Sequence, residues 1–230
     1  MTNKHGQVLP EDSKRPGPVM DQQPGNIIVI AASAGGVQAL RRLVSQLPAD
    51  LGASVFVVVH IGPNRPSLLP HILSRAGPLP AYHPVHGQTI EQGRIYVAPP
   101  DFHMRLHPGA IHLDRGSKVR HTRPAADPLF QSAAEAYGPR TVGVVLTGGD
   151  HDATDGARAI KAHGGRIIVQ QPYEADTPSM PLSALRDDHP DYILHLDEMP
   201  ALLVTLSQGR QDQPADNRLI CLTAPPWSCD

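Results

Sequence analysis

The stretch Asn26-Ile27-Ile28-Val29-Ile30-Ala31-Ala32-Ser33-Ala34-Gly35-Gly36 joins an unbroken apolar run to a turn built from small residues. An apolar run without alternation reads as a strand covered on both faces, the situation of strands in parallel sheets. Beyond the glycines, Val37, Leu40, Leu43, Val44 and Leu47 share one face at helical spacing, which predicts a helix over about 35–46. A buried strand, a tight turn and a helix begin a parallel α/β unit.

The same alternation continues along the chain. Ser54-Val55-Phe56-Val57-Val58-Val59 predicts a second buried strand that stops at His60, followed by a helix over about 67–75. Residues 94–98 and 103–107 are expected to form hairpin strands, returning through Pro108-Gly109 to 110–113. Asp127 followed by Pro128 signals a helix start, with the helix running to about 137. A strand over 141–146 and a helix over about 154–163, closed by Gly164-Gly165, come next. Strand 166–170, a short helix near 181–186, strand 192–195 and helix 199–207 complete the series. The expected fold is therefore α/β, a doubly wound, mostly parallel sheet with a small antiparallel hairpin excursion. Residues 1–25 and 208–230 are polar and Pro-rich without periodicity, and are read as a disordered leader and tail around one domain over 26–207.

Bulk properties narrow the function. A chain of 230 residues, 40% hydrophobic and 18% charged, can bury a sizeable core. Its formal charge of −2 makes no electrostatic case for nucleic acid. No apolar run approaches the ~18 residues of a membrane span, and the N-terminal residues lack the apolar segment of a signal peptide. The two cysteines, Cys221 and Cys229, lie in the tail and cannot staple the fold, so a cytoplasmic location is expected.

Reactive residues stand where the strands end. In open parallel sheets, ligands sit outside the carboxyl ends of the strands. Ser33 ends the first strand, His60 the second, and Val142-Gly143-Val144-Val145-Leu146 opens into Thr147-Gly148-Gly149-Asp150-His151-Asp152. A hydroxyl, an imidazole and a carboxylate at one edge are the parts of an acyl-transfer site. Ser33 is alternatively the cap of the first helix, and the two roles are compatible. Asp155, before Gly156 and a helix, reads as a capping residue, which leaves both Asp150 and Asp152 as candidate carboxylates. A dinucleotide fingerprint fails, because Ala31 and Ser33 stand where its glycines belong and His60 replaces its acidic residue. The acidic loop lacks the spacing of a calcium site. His103, His107 and His112 do not have the spacing of a zinc site and are read as exposed residues on the polar face of the hairpin. No cofactor or metal is expected.

Six segments in order resemble the catalytic domain of the CheB protein-glutamate methylesterases. They are 30–36, 59–63, 93–104, 123–130, 144–148 and Pro178-Ser179-Met180-Pro181, within a resemblance that runs over about 26–207. It implies a Ser–His–Asp hydrolase of glutamyl methyl esters on chemoreceptors, with deamidation of glutamines as a further activity. By motif the nucleophile is Ser33, the base His60 and the carboxylate Asp152, which decides between Asp150 and Asp152. The implied oxyanion donors are the Gly149 and Ala34 amides. Arg123 and Asp127, although in a family segment, are read as structural.

The chain departs from the family pattern at three places. Ala31 replaces the first glycine of the turn motif, Gly149 stands where methionine is common, and Ala153 follows the catalytic aspartate in place of glycine. If position 153 has positive φ, its methyl strains the loop by about 1 kcal/mol. Family members also carry an N-terminal receiver domain. The 25 residues before the first strand are too few for one, so the expectation is a constitutive esterase or control by a separate partner. The expected substrate partner is a methylated chemoreceptor or similar helical protein, with no nucleic acid and no membrane insertion. The alternative functions are a non-catalytic receptor-binding module of the same fold and a magnesium-dependent phosphate-binding enzyme.

Overall fold

The computed structural model describes residues 26–60, 66–149, 151–187 and 190–209. In chain order the first half contains β1 (Asn26–Ala32), α1 (Gly36–Val44), β2 (Ala53–Val59), α2 (Leu69–Ala76), β3 (Ala81–Tyr82), β4 (Gln88–Thr89), β5 (Ile95–Val97), β6 (His103–His107) and β7 (Ala110–Asp114). The second half contains α3 (Ala126–Tyr137), β8 (Thr141–Val145), α4 (Thr154–Ala162), β9 (Arg166–Gln170), α5 (Ser179–Asp187), β10 (Tyr192–Leu194) and α6 (Met199–Ser207). The expected leader and nearly all of the expected tail, with Cys221 and Cys229, lie outside the described residues.

Seven strands form one sheet in the order β10-β9-β8-β1-β2-β5-β3, and every neighbouring pair is parallel. Alternate residues of β1 face opposite layers, as the two-residue period of a strand requires. Ile28 and Ile30 pack with Leu40 and Leu43 of α1, Leu73 of α2 and Leu203 of α6. Ile27, Val29 and Ala31 pack with Phe130 of α3, Ile160 of α4 and Met180 of α5. Both faces are covered, so the unbroken apolar reading of β1 and β2 is the correct one. Every residue of β2 is buried.

The antiparallel part differs from expectation in one respect. A separate three-stranded sheet has the order β4-β7-β6, with the β6–β7 hairpin as anticipated. The segment before it is not part of that hairpin. β5 lies in the main sheet, parallel to both β2 and β3. Its buried Ile95-Tyr96-Val97 fits a covered strand, and the aromatic ring of Tyr96 stacks on Phe56 of β2 with centroids 5.0 Å apart. β3 and β4, at two residues each, are too short to show a period.

The chain order reverses at β1, which has β2 on one side and the later β8 on the other. A crevice opens at such a switch point outside the carboxyl ends of the strands. Ala31 sits below it inside the sheet, in register with Val58 and Val145 and fully buried. Its methyl therefore fills core and does not sit in the turn. No helix among the described residues is long and apolar enough to cross a membrane.

Candidate active site

Strand register brings the first two candidates together. Ala32 and Val59 are the last aligned pair of β1 and β2, so Ser33 and His60 take the next step along adjacent strands. Neighbouring strands lie about 4.8 Å apart. On the other side, the Ser33 N–H donates to Thr147 O at 2.9 Å, extending the β1–β8 ladder into the loop after β8. Among the described residues no hydrogen bond engages the Ser33 hydroxyl. Ser33 and His60 are therefore neighbours by register. Capping is not the role of that hydroxyl either, because the residue at the N-cap of α1 is Gly35, with φ 78°, and no side chain caps the helix.

His60 and Asp152 are in direct contact. The imidazole Nε2 lies 2.8 Å from Asp152 Oδ2, with the carboxylate fully buried and the imidazole side chain 14% exposed. A carboxylate only accepts, so Nε2 carries the hydrogen, and in the neutral ring Nδ1 is the acceptor. Asp152 is itself held by the backbone. Oδ2 accepts from the Ala126 N–H at 2.5 Å, and Oδ1 from Asp127 at 3.1 Å and Ala153 at 2.9 Å. Burial alone would push this carboxyl up, but the hydrogen bonds from His60 and from the amides outweigh it and hold its pKa below the ordinary value. The negative charge also sits at the start of α3, where the first amides lack partners within the helix.

The expected caps are exchanged between helices. α3 begins at Ala126 after Ala125, which has no side chain to cap with, and Asp152 from another segment takes its first amides. Asp127 instead accepts from the Gly156 N–H of α4 at 2.8 Å. Asp155 caps nothing and pairs on the surface with Arg120 and Arg158, which corrects the sequence expectation. Asp127 is pushed up to about 6 by burial and by the charge of Asp152, against the pull of the Gly156 amide. Its bond to the Gly156 amide ties the start of α3 to α4. The Arg123 guanidinium bonds Asp101 Oδ1 at 2.6 and 3.0 Å and the carbonyls of Arg115 and Gly116.

A turn of exposed amides completes the edge. The carbonyl of Ser33 accepts from Gly36 at 2.8 Å, while the Gly148 N–H is used by Thr177 O at 2.9 Å. Among the described residues neither the Ala34 nor the Gly149 N–H has an acceptor, and both residues are exposed. Gly148 has no room for a side chain, since a Cβ there would overlap Met180 and lie 3.0 Å from the Ser33 Cβ. Gly149 has room, its nearest neighbour being the Thr177 methyl at 3.6 Å. Ala153 does adopt φ 79°, so the strain anticipated for that position is present.

The remaining candidates lie elsewhere. Asp150 is outside the described residues. His103 is buried, with Nε2 at 3.0 Å from Ser117 O, contrary to the exposed position expected of it. Burial lowers its pKa, and since a carbonyl only accepts, Nε2 donates to it. Among the described residues no group of His, Cys, Asp and Glu is arranged to hold a metal ion. Sequence reasoning assigned no role to Thr147 and Gln170, both buried and both at the site edge. The signal was available in part, because each is a polar residue directly after an apolar run.

The arrangement has close counterparts. A family model described as CheB methylesterase matches residues 28–203. A Leptospira interrogans protein is 33% identical over 187 residues, covering 81% of this chain and 97% of its own length. A Caulobacter vibrioides protein-glutamate methylesterase/protein-glutamine glutaminase is 36% identical, over 84% of this chain and 55% of its own length. This chain thus spans about half of some curated relatives and nearly all of others. The crystal structure of the Thermotoga maritima CheB methylesterase catalytic domain superposes with a TM-score of 0.76 at 32% identity, covering 79% of this chain and 98% of that one. With its parallel sheet, its small antiparallel sheet and the matching span of sequence, the chain belongs to the CheB methylesterase family.

Proposed function

We propose that this protein is a serine protein-glutamate methylesterase, with methylated chemoreceptors or similar helical proteins as substrates. The carrying observation is the His60 Nε2 to Asp152 Oδ2 bond of 2.8 Å, one register step across from Ser33. In this reading Ser33 is the nucleophile. With Nε2 committed to Asp152, Nδ1 takes the Ser33 proton as Oγ attacks the ester carbonyl. The buried carboxylate stabilises the imidazolium, and the Ala34 and Gly149 amides face the oxyanion. Collapse of the tetrahedral intermediate expels methanol, protonated by His60, and leaves a glutamyl–Ser33 ester. Water, deprotonated by His60, then releases the glutamate and restores Ser33. A primary amide fits the same sequence with ammonia as leaving group, which makes selected glutamines a second substrate class. The relatives' names support both activities.

The test is methanol release from methyl-glutamyl chemoreceptor membranes. Wild type is expected to release methanol and Ser33→Ala to release none. Release that survives Ser33→Ala would remove Ser33 as nucleophile. Folded wild type that releases none and fails to react with a fluorophosphonate serine probe would overturn the esterase reading.

A further inference from the structure

Resting on the esterase reading, we infer that Thr147 is a positioning residue whose hydroxyl holds the Ser33–Ala34–Gly35 turn in its oxyanion-binding geometry. Its side chain is almost fully buried at the end of β8 and makes hydrogen bonds to two other segments at once. Thr147 Oγ1 donates to Ala34 O at 2.9 Å, with Thr177 O further off at 3.2 Å, and accepts from the Thr177 N–H at 2.8 Å. Its main chain is equally committed. Thr147 O receives the Ser33 N–H, and the Thr147 N–H donates to the side chain of buried Gln170 at 2.9 Å.

The consequence follows from peptide geometry. In a trans peptide the C=O and the following N–H point in opposite directions. The Ser33 carbonyl is taken by Gly36, so the N–H of Ala34 points away from the start of α1. The Ala34 carbonyl is taken by the Thr147 hydroxyl, which fixes the next peptide plane in the same way. Two successive peptides are thereby pinned, one by the backbone of α1 and one by this single side chain. Without the hydroxyl, Gly35 at φ 78° is the adjoining residue and offers little resistance to rotation. Misplacement of a donor by about 1 Å costs on the order of 10²-fold in rate.

Valine and serine separate the hydroxyl from the shape. In Thr147→Val the volume is kept and the hydroxyl lost, while Thr147→Ser keeps the hydroxyl. Both are assayed in the full chain for methanol release from methyl-glutamyl receptor membranes and, separately, for the rate of Ser33 phosphonylation by a fluorophosphonate. Thr147→Val is expected to lower kcat and the phosphonylation rate by about 10–100-fold with KM within about threefold of wild type. Thr147→Ser is expected to recover both rates to within about threefold. The inference falls if folded Thr147→Val keeps both rates and loses only thermal stability, or if Thr147→Ser is as slow as Thr147→Val. Should Thr147→Val fail to fold, the serine variant still decides: rates near wild type sustain the role and a 10-fold loss overturns it. A wild type that releases no methanol but is phosphonylated would fault the substrate, and the phosphonylation ratios would still test Thr147. A wild type inert in both assays would overturn this inference together with the esterase reading.

Discussion

Asp152 and Asp127 serve each other's helices: Asp152 accepts the first amides of α3, and Asp127 accepts the Gly156 amide of α4. The exchange locks α3 to α4 behind His60. It also places two buried carboxylates close enough for one to raise the other. The stability of that corner and the chemistry of His60 are therefore linked through Asp152.

Replacing Asp152 with Asn should be costly on both counts. The amide group would present N–H where Oδ2 now accepts from His60 and Ala126, so one donor faces another. Turnover is expected to fall by about 10³–10⁴-fold through loss of the oriented imidazole. Stability should fall by about 1–3 kcal/mol from the unsatisfied buried donor. Steady-state methanol release and chemical denaturation measure the two effects, and turnover within tenfold of wild type would remove Asp152 from the proposed triad.

Asp127 makes a prediction about pH. Its native pKa of about 6 lies above the ordinary carboxyl value of about 4. Between those values the native state holds the proton more tightly than the unfolded chain. The stability it contributes is thus full below about pH 4 and lost as pH rises through about 6. Asp152 runs the opposite way, stabilising above the unfolded value and losing that contribution as pH falls through its lowered native pKa. Asp127→Asn keeps an oxygen for Gly156 and carries no charge. Its Tm relative to wild type should rise from about pH 4 to about pH 7, and a pH-independent difference would contradict the assignment.

The strained alanine offers a gain. Ala153 holds φ 79° in the turn between Asp152 and α4. Ala153→Gly removes a penalty of about 1–2 kcal/mol and gives back part of it as unfolded-state entropy. A net rise in Tm of about 2–4 °C per kcal/mol gained is expected by calorimetry. A fall would show that the Ala153 methyl, which packs in the core, contributes more than the strain removes.

Two neighbouring glycines should behave differently. Gly148→Ala collides with Met180 and crowds the Ser33 Cβ, so both activity and Tm should drop, activity by at least about tenfold. Gly149→Ala meets only the Thr177 methyl at ordinary contact distance and should leave Tm within about 1 °C. Thermal melts and methanol release on the two single variants compare them directly. Equal losses would mean that the loop does not hold the separation described.

By itself the sequence determined the parallel α/β architecture and the positions of Ser33 and His60 at adjoining strand ends. Those features are written in local signals: apolar runs such as 26–32 and 53–59, and small residues at the turn. The two-residue period of a strand and the 3.6-residue period of a helix need only neighbouring residues to be visible. Spacing could not choose between Asp150 and Asp152; the family resemblance chose, and the contact with His60 agrees with it. Tertiary structure alone decided that β5 joins the main sheet, that Asp152 and not Asp127 takes the first amides of α3, that Asp155 is a surface ion-pair residue, and that His103 is buried. It also decided that the Thr147 hydroxyl reaches Ala34, 113 residues away in the chain. Each of these is a choice among partners distant in sequence. Such choices depend on which surfaces meet and which buried donors need an acceptor, and no local pattern records that.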